Sequence, residues 1–403
     1  MKTQASDKKE SHNIAVFVLF TVISGVAANI CSEGYIQAYL LKLGFDTDDI
    51  KNYGILTQVA NIVAFLALTR LPPMKKRMIK IYAAAVLCTG AFPLVLALAG
   101  HILSFAAVYA AILVAAMLYG FLVSFRSVAE FGMMPHLFSR GLYGSAASKA
   151  MFIGGVVTMG ISICSNFLFG HDGESIYGFL FFVPVAALIV SAFLALSYKY
   201  DDTKPEKPPP RITYYNIAKT LASPWYAKKL LPHFFRGVSA AGTYYVIPLV
   251  FEKIAISDGE KSFLIVISVM ATLVGSFLFM CLNKKMNSGL ITLAAMTICA
   301  AILPILVVCG DKYVFFALYL AFSISGIVFS ISIPTGVLRS TPNEELSLIT
   351  SLRFVLMSIA TSLFIFIFGI LLKHISPVYI MLFSSIIFVW CGFLCKKQFD
   401  DRL

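Results

Sequence analysis

Long uninterrupted apolar runs constrain this chain more than any other feature of its sequence. Twelve such runs of about 18 to 28 residues occur, the first over Ile14–Leu41 and the last over Pro377–Leu394. An α-helix rises about 1.5 Å per residue, so roughly 20 apolar residues cross a hydrocarbon core about 30 Å thick. The runs are continuous rather than alternating in short pieces, which favours helices over a barrel. We therefore predict an all-α integral membrane protein with twelve transmembrane helices.

Charge is scarce in this sequence and unevenly placed. Only 13% of the 403 residues are charged, against about 25% in a typical soluble domain, yet the net charge is +12. With the N-terminus in the cytoplasm, 26 of the 32 Lys and Arg residues fall on the cytoplasmic side of the runs. This positive-inside pattern explains the basic excess, so we expect no nucleic-acid partner. It predicts a multi-pass protein of the cell membrane with both termini in the cytoplasm.

A polar stretch divides the chain into two halves of six runs each. The segment "YKYDDTKPEKPPPRITYYNIAKTLASPWYAKK" is charged and rich in proline, as expected of a linker. We predict an N-terminal six-helix bundle over residues 1–198, a cytoplasmic linker over 199–228 and a C-terminal six-helix bundle over 229–403. The halves echo each other weakly, since "PPMKKRMIK" follows the second run and "LNKKMNS" follows the eighth. Parallel repeats of this kind place a solute site between the halves, near the middle of the membrane.

The six-plus-six arrangement, the basic loop between the second and third runs and the basic central linker resemble the major facilitator superfamily. The loop "LTRLPPMKKRMIK" keeps the basic cluster of Lys75, Lys76 and Arg77 but lacks the glycines and the aspartate of the family pattern. The Gly-Pro signature of many drug/proton antiporters is missing from the fifth run. The stretch "EFGMMPHLFSRGLYGS" is similar to a loop of glycoside–pentoside–hexuronide cation symporters. The resemblance implies two bundles related by a pseudo-twofold axis, and a monomer.

Three polar residues recur every fourth position within "AANICSEGYIQAYLL". Asn29, Glu33 and Gln37 would span roughly 80° of one face of a continuous helix. A carboxylate inside the membrane costs several kcal/mol and usually faces a cavity or a partner. We therefore predict that Glu33 binds the coupling ion, and the resemblance agrees, because many proton-linked members use an acid in the first span. The alternative is that Glu33 pairs with a neighbouring helix or reaches the outer interface.

Other polar residues within the runs are candidates for the solute pathway or a gate. The pathway candidates are Asn29, Gln37, Gln58, Asn61, Arg126, Glu130, Arg236 and Tyr244. Each has a structural alternative: an interhelical hydrogen bond for the amides, an ordinary i,i+4 ion pair for Arg126 with Glu130, and lipid-facing packing for Tyr244. Lys149 and Arg353, early in the fifth and eleventh runs, are candidates for a cytoplasmic gate. Both could instead reach the cytoplasmic interface as simple anchors.

The sequence motifs argue for transport without an enzyme activity. No GxxxxGK[ST], HExxH or GxSxG pattern occurs, so we expect neither an ATP motor nor a catalytic site. The 8 Cys lie in or beside apolar runs without a CxxC pair, so we expect no metal and no cofactor. We predict a secondary active transporter of a small organic solute that works by alternating access and is coupled to a proton or another cation.

Several alternatives to this function stay open. One is a proton-coupled efflux antiporter for drugs or metabolites, and another is a cation–sugar symporter. A third is a membrane receptor or scaffold that does not transport, which the polar stripe of the first run disfavours.

Overall fold

The computed structural model describes residues 2–68, 77–99, 101, 104–137, 143–169, 180–199, 222–254, 256, 260 and 263–399. These residues form fifteen α-helices, and none of them lies in a β-strand. The first half contains α1 (Lys2–Ile30), α2 (Glu33–Lys42), α3 (Thr47–Leu68), α4 (Arg77–Thr89), α5 (Ala91–Ala99), α6 (Phe105–Leu137), α7 (Tyr143–Phe169) and α8 (Phe182–Leu196). The second half contains α9 (Pro224–Thr243), α10 (Val246–Lys253), α11 (Phe263–Leu282), α12 (Ser288–Val308), α13 (Lys312–Ser340), α14 (Asn343–Leu371) and α15 (Pro377–Phe399). The all-α prediction is confirmed.

The helices correspond to the predicted spans. Within the described ranges, nine helical stretches are long and apolar enough to cross a membrane by length and composition. Two shorter apolar stretches, Ser145–Ile161 and Phe182–Leu196, coincide with the predicted fifth and sixth spans. Helix α3 lies where the second span is predicted, although charged residues at its start lower its apolar character. Within the described residues, the nine stretches, the two shorter ones and α3 together correspond in position to the twelve predicted spans.

The first span is interrupted, and the expectation of one helix over Ile14–Leu41 is wrong. Helix α1 ends at Ile30, and Ser32 has extended backbone angles (φ −64°, ψ 143°) before α2 begins at Glu33. Ser32 and Gly34 are weak helix formers, because serine competes for backbone hydrogen bonds and glycine is conformationally free. The first span therefore consists of two helices that meet inside the membrane.

The seventh span, which corresponds to the first in the parallel repeat, is interrupted as well. Helix α9 ends at Thr243, and α10 begins at Val246. Pro248 has no backbone N–H, so it cannot donate to the carbonyl of Tyr244 four residues earlier. The break therefore leaves one buried carbonyl in need of a donor from elsewhere.

The two halves pack through helix pairs from opposite bundles. Helix α3 lies along α14, and α7 lies along α11. Gly155 allows α7 to approach α11 closely, since a Cβ at this position would lie 2.8 Å from the side chain of Leu273. One continuous cluster of buried apolar residues extends through both halves. The halves therefore meet through an apolar interface, with the polar contacts described below set into it.

Part of the predicted organisation lies outside the described residues. This holds for positions 200–221 of the predicted linker and for Lys75 and Lys76 of the basic loop. The first described helix after the linker begins at Pro224, within the last residues assigned to the linker from sequence. The side chains of Glu344 and Glu345, the candidate partners of Arg353 in the predicted cytoplasmic gate, are also outside the described residues.

Candidate functional site

Glu33 is an exposed carboxylate at the break in the first span. It is the first residue of α2, and the next seven residues, Gly34–Leu40, are all buried. The Glu33 carboxylate lies within electrostatic range of four tyrosines, namely Tyr53, Tyr119, Tyr244 and Tyr319. These rings come from α3, α6, α13 and the break between α9 and α10, so they belong to both halves. Glu33 therefore faces the space between the bundles and not the lipid.

The backbone of α2 comes close to the second half beside this carboxylate. A Cβ at Gly34 would lie 2.7 Å from the hydroxyl oxygen of Tyr319. Only glycine permits this approach without a shift of the tyrosine ring. The break in the first span thus brings Glu33 to the boundary between the bundles, where a change in their packing would alter its surroundings.

Asn29 connects the two halves just before the break. Its side chain is buried, and its Nδ2 donates to Oγ1 of Thr158 on α7 at 3.4 Å. Its Oδ1 accepts a hydrogen bond from Oγ1 of Thr272 on α11 at 2.8 Å. Because Asn29 lies on α1 and Glu33 on α2, the two do not share one helix face. Whether Asn29 also touches the solute stays a prediction.

Gln37 satisfies the carbonyl that Pro248 leaves without its helical donor. The Nε2 atom of Gln37 donates to the carbonyl oxygen of Tyr244 at 3.1 Å, across the boundary between the halves. The hydroxyl of Tyr244 donates in turn to the carbonyl of Ile50 on α3 at 2.8 Å. Gln37 and Tyr244 are both buried. Together they join the broken helices of the two bundles, and a contact of either with the solute stays a prediction.

Charged residues add a second contact between the halves at the predicted outer surface. The Nζ atom of Lys373, after α14, lies 3.1 Å from Oδ2 of Asp48 on α3. Lys51 pairs with Oδ1 of the same carboxylate at 2.5 Å. Nearby, the hydroxyl of Thr47 donates to the carboxylate of Glu252 on α10. We name the group of Asp48, Lys51 and Lys373 the outer latch.

The outer latch is expected to open only in strong acid. Asp48 precedes the predicted second span, and hydrogen bonds from Lys51 and then Lys373 lower the pKa of its carboxyl. A lowered pKa means that the pairing persists at neutral and mildly acidic pH and is lost as the pH falls through that value. Asp48 is half-exposed, so the pairing contributes on the order of 1 kcal/mol or less.

We expect the Asp48→Asn variant to loosen the outer side at every pH. The measurement is the rate at which a membrane-impermeant maleimide labels a cysteine placed at Ile50 in an otherwise cysteine-free chain. Ile50 is buried beneath the latch, so labelling requires opening. Only the thiolate reacts, so each rate is divided by that of a free thiol at the same pH. In the parent, this relative rate should stay constant from pH 8 to about 5, the lower end being above the ordinary carboxyl pKa near 3.9. A relative rate that rises steeply near pH 6 in the parent would contradict this assignment.

A second polar group lies within the first bundle, toward the predicted cytoplasmic side. The guanidinium carbon of Arg126 is 5.6 Å from the centroid of the Phe20 ring. The Glu130 carboxylate accepts a hydrogen bond from the hydroxyl of Tyr82 at 3.1 Å and lies in the field of Arg126. Tyr119 lies within electrostatic range of both Glu33 and Arg126. A row of polar groups therefore runs from Glu33 past Tyr119 to Arg126 and Glu130.

Gln58 and Asn61 occupy the face of α3 that meets α6. The Nδ2 atom of Asn61 donates to Oε1 of Gln58 at 3.1 Å, one turn earlier on the same helix. The hydroxyl of Ser124 on α6 donates to Oδ1 of Asn61 at 2.8 Å. Both amides are half-buried. The bond from Ser124 is the interhelical hydrogen bonding predicted as the structural alternative, and a role of the two half-buried amides in the solute pathway stays a prediction.

Two of the predicted basic residues, Arg236 and Arg353, belong to the second half, and each lies beside an aromatic ring. Arg236 has its guanidinium carbon 5.3 Å from the centroid of Phe329. Arg353 is buried, with its guanidinium 4.9 Å from the centroid of Phe354. Lys149, by contrast, is exposed at the start of α7. The structure does not bring Lys149 and Arg353 together in a described contact, and their gate role stays a prediction.

Several residues that surround Glu33 were not predicted from the sequence. Tyr53, Tyr119 and Tyr319 lie within long apolar runs, and Thr272 is an isolated polar residue in another run. A buried tyrosine usually places its hydroxyl against a polar partner, so tyrosines within membrane spans were the signal that could have found them. Their convergence on one carboxylate depends on helix rotation, which hydropathy does not reveal.

Comparison with known proteins gives a fold but no sequence relative. No protein-family model and no curated protein sequence matches the chain. Among solved structures, the human organic anion transporter MFSD10 is 11% identical, with 96% of this chain and 99% of that chain covered and a TM-score of 0.64. A major facilitator superfamily proton:xylose symporter is 11% identical, with 96% and 95% covered and a TM-score of 0.66. A bacterial homologue of the iron transporter ferroportin is 14% identical, with 96% and 98% covered and a TM-score of 0.67.

These likenesses extend over almost the whole chain. The protein therefore has the fold of the major facilitator superfamily, and the resemblance inferred from the six-plus-six arrangement is confirmed. At these identities the likeness defines the arrangement of helices and does not define the cargo.

Proposed function

We propose that the protein is a secondary active transporter that moves a small organic solute by alternating access and couples this movement to a proton. The observation that carries the proposal is the exposed carboxylate of Glu33, which lies between the bundles amid tyrosines from both halves. A carboxylate in such a place can take up a proton from one side and release it on the other when the bundles rock. The row of polar groups toward Arg126 supports a route to the opposite side.

The side chains around Glu33 favour an organic solute that carries hydroxyl or anionic groups. Tyrosine hydroxyls, amides and an arginine offer hydrogen bonds of the kind that orient sugars and carboxylates. Within the described part of the chain, no group of three His, Cys, Asp or Glu residues is placed to hold a metal ion. The solved structures of this fold include a proton:xylose symporter and an organic anion transporter, which agrees with such cargo.

Symport of a polar solute is the function that these residues support best. An efflux antiporter for apolar compounds stays the second candidate, supported by the aromatic rings that surround a single acid. We assign the protein to the cell membrane as a monomer with both termini in the cytoplasm, on the distribution of basic residues and the family resemblance. Its two bundles, residues 1–198 and 229–403, rock about the solute site.

The proposal is tested on purified protein by a screen that covers several classes of solute. Thermal-shift screening of sugars, carboxylates, nucleosides and cationic drugs identifies compounds that raise the unfolding midpoint. Each hit is then offered to proteoliposomes with and without an imposed pH gradient. We expect accumulation only with the gradient, and acidification of the lumen as solute enters. Binding of a hit without any transport under either condition would favour a receptor.

Arg126 is expected to strengthen solute binding. Its guanidinium is half-buried and directed over Phe20, so an anionic or hydroxyl group can meet a fixed charge. Hydrogen bonds to charged groups contribute about 1.5–3 kcal/mol, so Arg126→Ala should raise the Kd of a hit by roughly 10-fold to 100-fold. The measurement is a thermal-shift titration of the variant against the parent.

The matched control for Arg126 is Lys80→Ala. It removes an equal charge from an exposed position on α4 and should leave the Kd unchanged. If Arg126→Ala binds the hit as tightly as Lys80→Ala does, Arg126 does not contact the solute.

A further inference from the structure

Arg236 is a cation deep in the second bundle that keeps accessible surface and has no polar partner. It lies on α9, over the ring of Phe329 on α13 and within electrostatic range of the thiols of Cys391 and Cys395 on α15. The side chain is only half-buried although it lies among three helices. No hydrogen bond or ion pair joins its guanidinium to any residue that the structure describes. Arg236 therefore lines a crevice, and its N–H donors are unused.

The surroundings of Arg236 hold further positive charge and no described acid. His233, one turn earlier on α9, lies within electrostatic range of Arg236 and of Arg353. This histidine is enclosed, and neither of its ring nitrogens has a hydrogen-bond partner within the described part of the chain. A guanidinium inside a membrane without a counter-charge costs several kcal/mol. The shortage of acceptors around Arg236 thus points to a counter-charge on a molecule that enters the crevice.

Arg126 has corresponding surroundings in the first bundle. It is half-buried on α6 over the ring of Phe20, and it too makes no hydrogen bond or ion pair with a described residue. The first bundle carries the arginine on its fourth span and the ring on its first. The second bundle carries Arg236 on its first span and Phe329 on its fourth. Each bundle therefore presents one arginine over a phenyl ring, in the half of the span predicted to be cytoplasmic.

The two arginines call for two anionic groups. Arg126 is not among the charged groups within electrostatic range of Arg236, so one small anion does not reach both. A guanidinium that lies over a ring keeps its N–H edge free, and this edge matches a carboxylate in bidentate fashion. A solute with one acidic group at each end satisfies both guanidinium groups and extends across the boundary between the bundles.

We propose that the solute is an organic dianion with separated acidic groups, of which Arg126 binds one and Arg236 the other. This inference rests on the proposed transport function and names the class of solute for it. We call Arg126 and Arg236 the arginine pair. Neutral sugars lack both anchoring groups and monocarboxylates lack one, so the arginine pair selects a dicarboxylate against them.

The test measures binding to the purified full-length protein in detergent by isothermal calorimetry. The probes are linear dicarboxylates from succinate to suberate, each with its monoamide and its diamide, which keep the size but remove one or both charges. We expect at least one dicarboxylate to bind about tenfold more tightly than its monoamide, and the diamide to bind more weakly still. This comparison uses the parent protein alone, so it does not depend on how a variant folds.

Arg126→Gln and Arg236→Gln test whether each arginine binds one of the two charges. In either variant the preference for the dicarboxylate over its monoamide should fall to within about twofold, because only one arginine remains. A purely structural role would weaken the binding of all probes alike and leave this preference in place. The control is Arg339→Gln, the same change at an exposed position near the end of α13, which should keep the preference of the parent.

Failure of this proposal and failure of the transport function give different results. No binding of any dicarboxylate, equal affinity for a dicarboxylate and its amides, or an unchanged preference in Arg236→Gln would overturn the dianion assignment. Gradient-driven uptake of a neutral solute would in that case leave the transport function standing. Binding with the expected preference, but without accumulation in proteoliposomes under a pH gradient, would support the arginine pair and remove the coupled transporter.

Discussion

Replacing Glu33 with glutamine is expected to abolish solute accumulation driven by a pH gradient. Glutamine keeps the size and hydrogen-bonding capacity of the side chain but cannot take up or release a proton. The exposed position of Glu33 between the bundles means that no buried ion pair is broken, so expression and thermal midpoint should stay near those of the parent. Gradient-driven uptake in proteoliposomes should fall to the level of empty vesicles.

Solute exchange separates coupling from transport in this experiment. In the absence of a gradient, Glu33→Gln should still exchange labelled for unlabelled solute, because rocking of the loaded bundles needs no net proton movement. Asp46→Asn is the matched control, since it makes the same chemical change at an exposed position outside the membrane and should accumulate solute normally. Full gradient-driven accumulation by Glu33→Gln would remove Glu33 from the coupling mechanism.

Replacing Gln37 with leucine is expected to destabilise the contact between the halves. Because Pro248 offers no N–H, the carbonyl of Tyr244 depends on the Gln37 amide. A buried carbonyl left without a donor costs about 1–3 kcal/mol, so the thermal midpoint should fall and labelling of a cysteine at Ile50 should accelerate. The control is Gln398→Leu, because the buried amide of Gln398 has no partner in the described structure and its loss should be neutral.

A double-mutant cycle identifies the cause of the Gln37 effect. Pro248→Ala restores a backbone N–H that can donate to the carbonyl of Tyr244. Gln37→Leu should therefore cost less in the Pro248→Ala background than in the parent, with a coupling energy on the order of 0.5–3 kcal/mol. If the two substitutions are additive, the amide does not act through this carbonyl.

The membrane class and the positions of the long apolar helices could be predicted from sequence because they depend on local composition. A run of apolar residues long enough to cross the bilayer allows little besides a helix, whatever surrounds it. The grouping into six and six followed from the polar stretch after the sixth run, and the comparison with solved structures confirms the two-bundle fold. Glu33 could also be singled out from the sequence, because an ionisable residue inside an apolar run is costly and therefore indicates a cavity or a partner.

The prediction of one continuous helix across the first span was wrong. No proline or pair of glycines marks a break near Ser32, and a four-residue spacing favoured a single helix through Glu33. The break between Ile30 and Glu33 arises where the first span packs against α7, α11 and α13 of both bundles. Ser32 and Gly34 weaken the helix locally, but the contacts at the break involve residues more than a hundred positions apart, which local propensity does not encode.

The sequence determines features that depend on short-range interactions, whereas the tertiary structure decides features that depend on long-range contacts between helices. Composition and spacing determined a helical membrane protein with long apolar spans and drew attention to one carboxylate. The tertiary structure decided that Asn29 and Gln37 hold the bundles together, while Glu33 alone of the three faces open space beside four tyrosines. The physical reason is that helix formation in a bilayer is satisfied within each segment, whereas the direction of each side chain depends on how the helices rotate against one another.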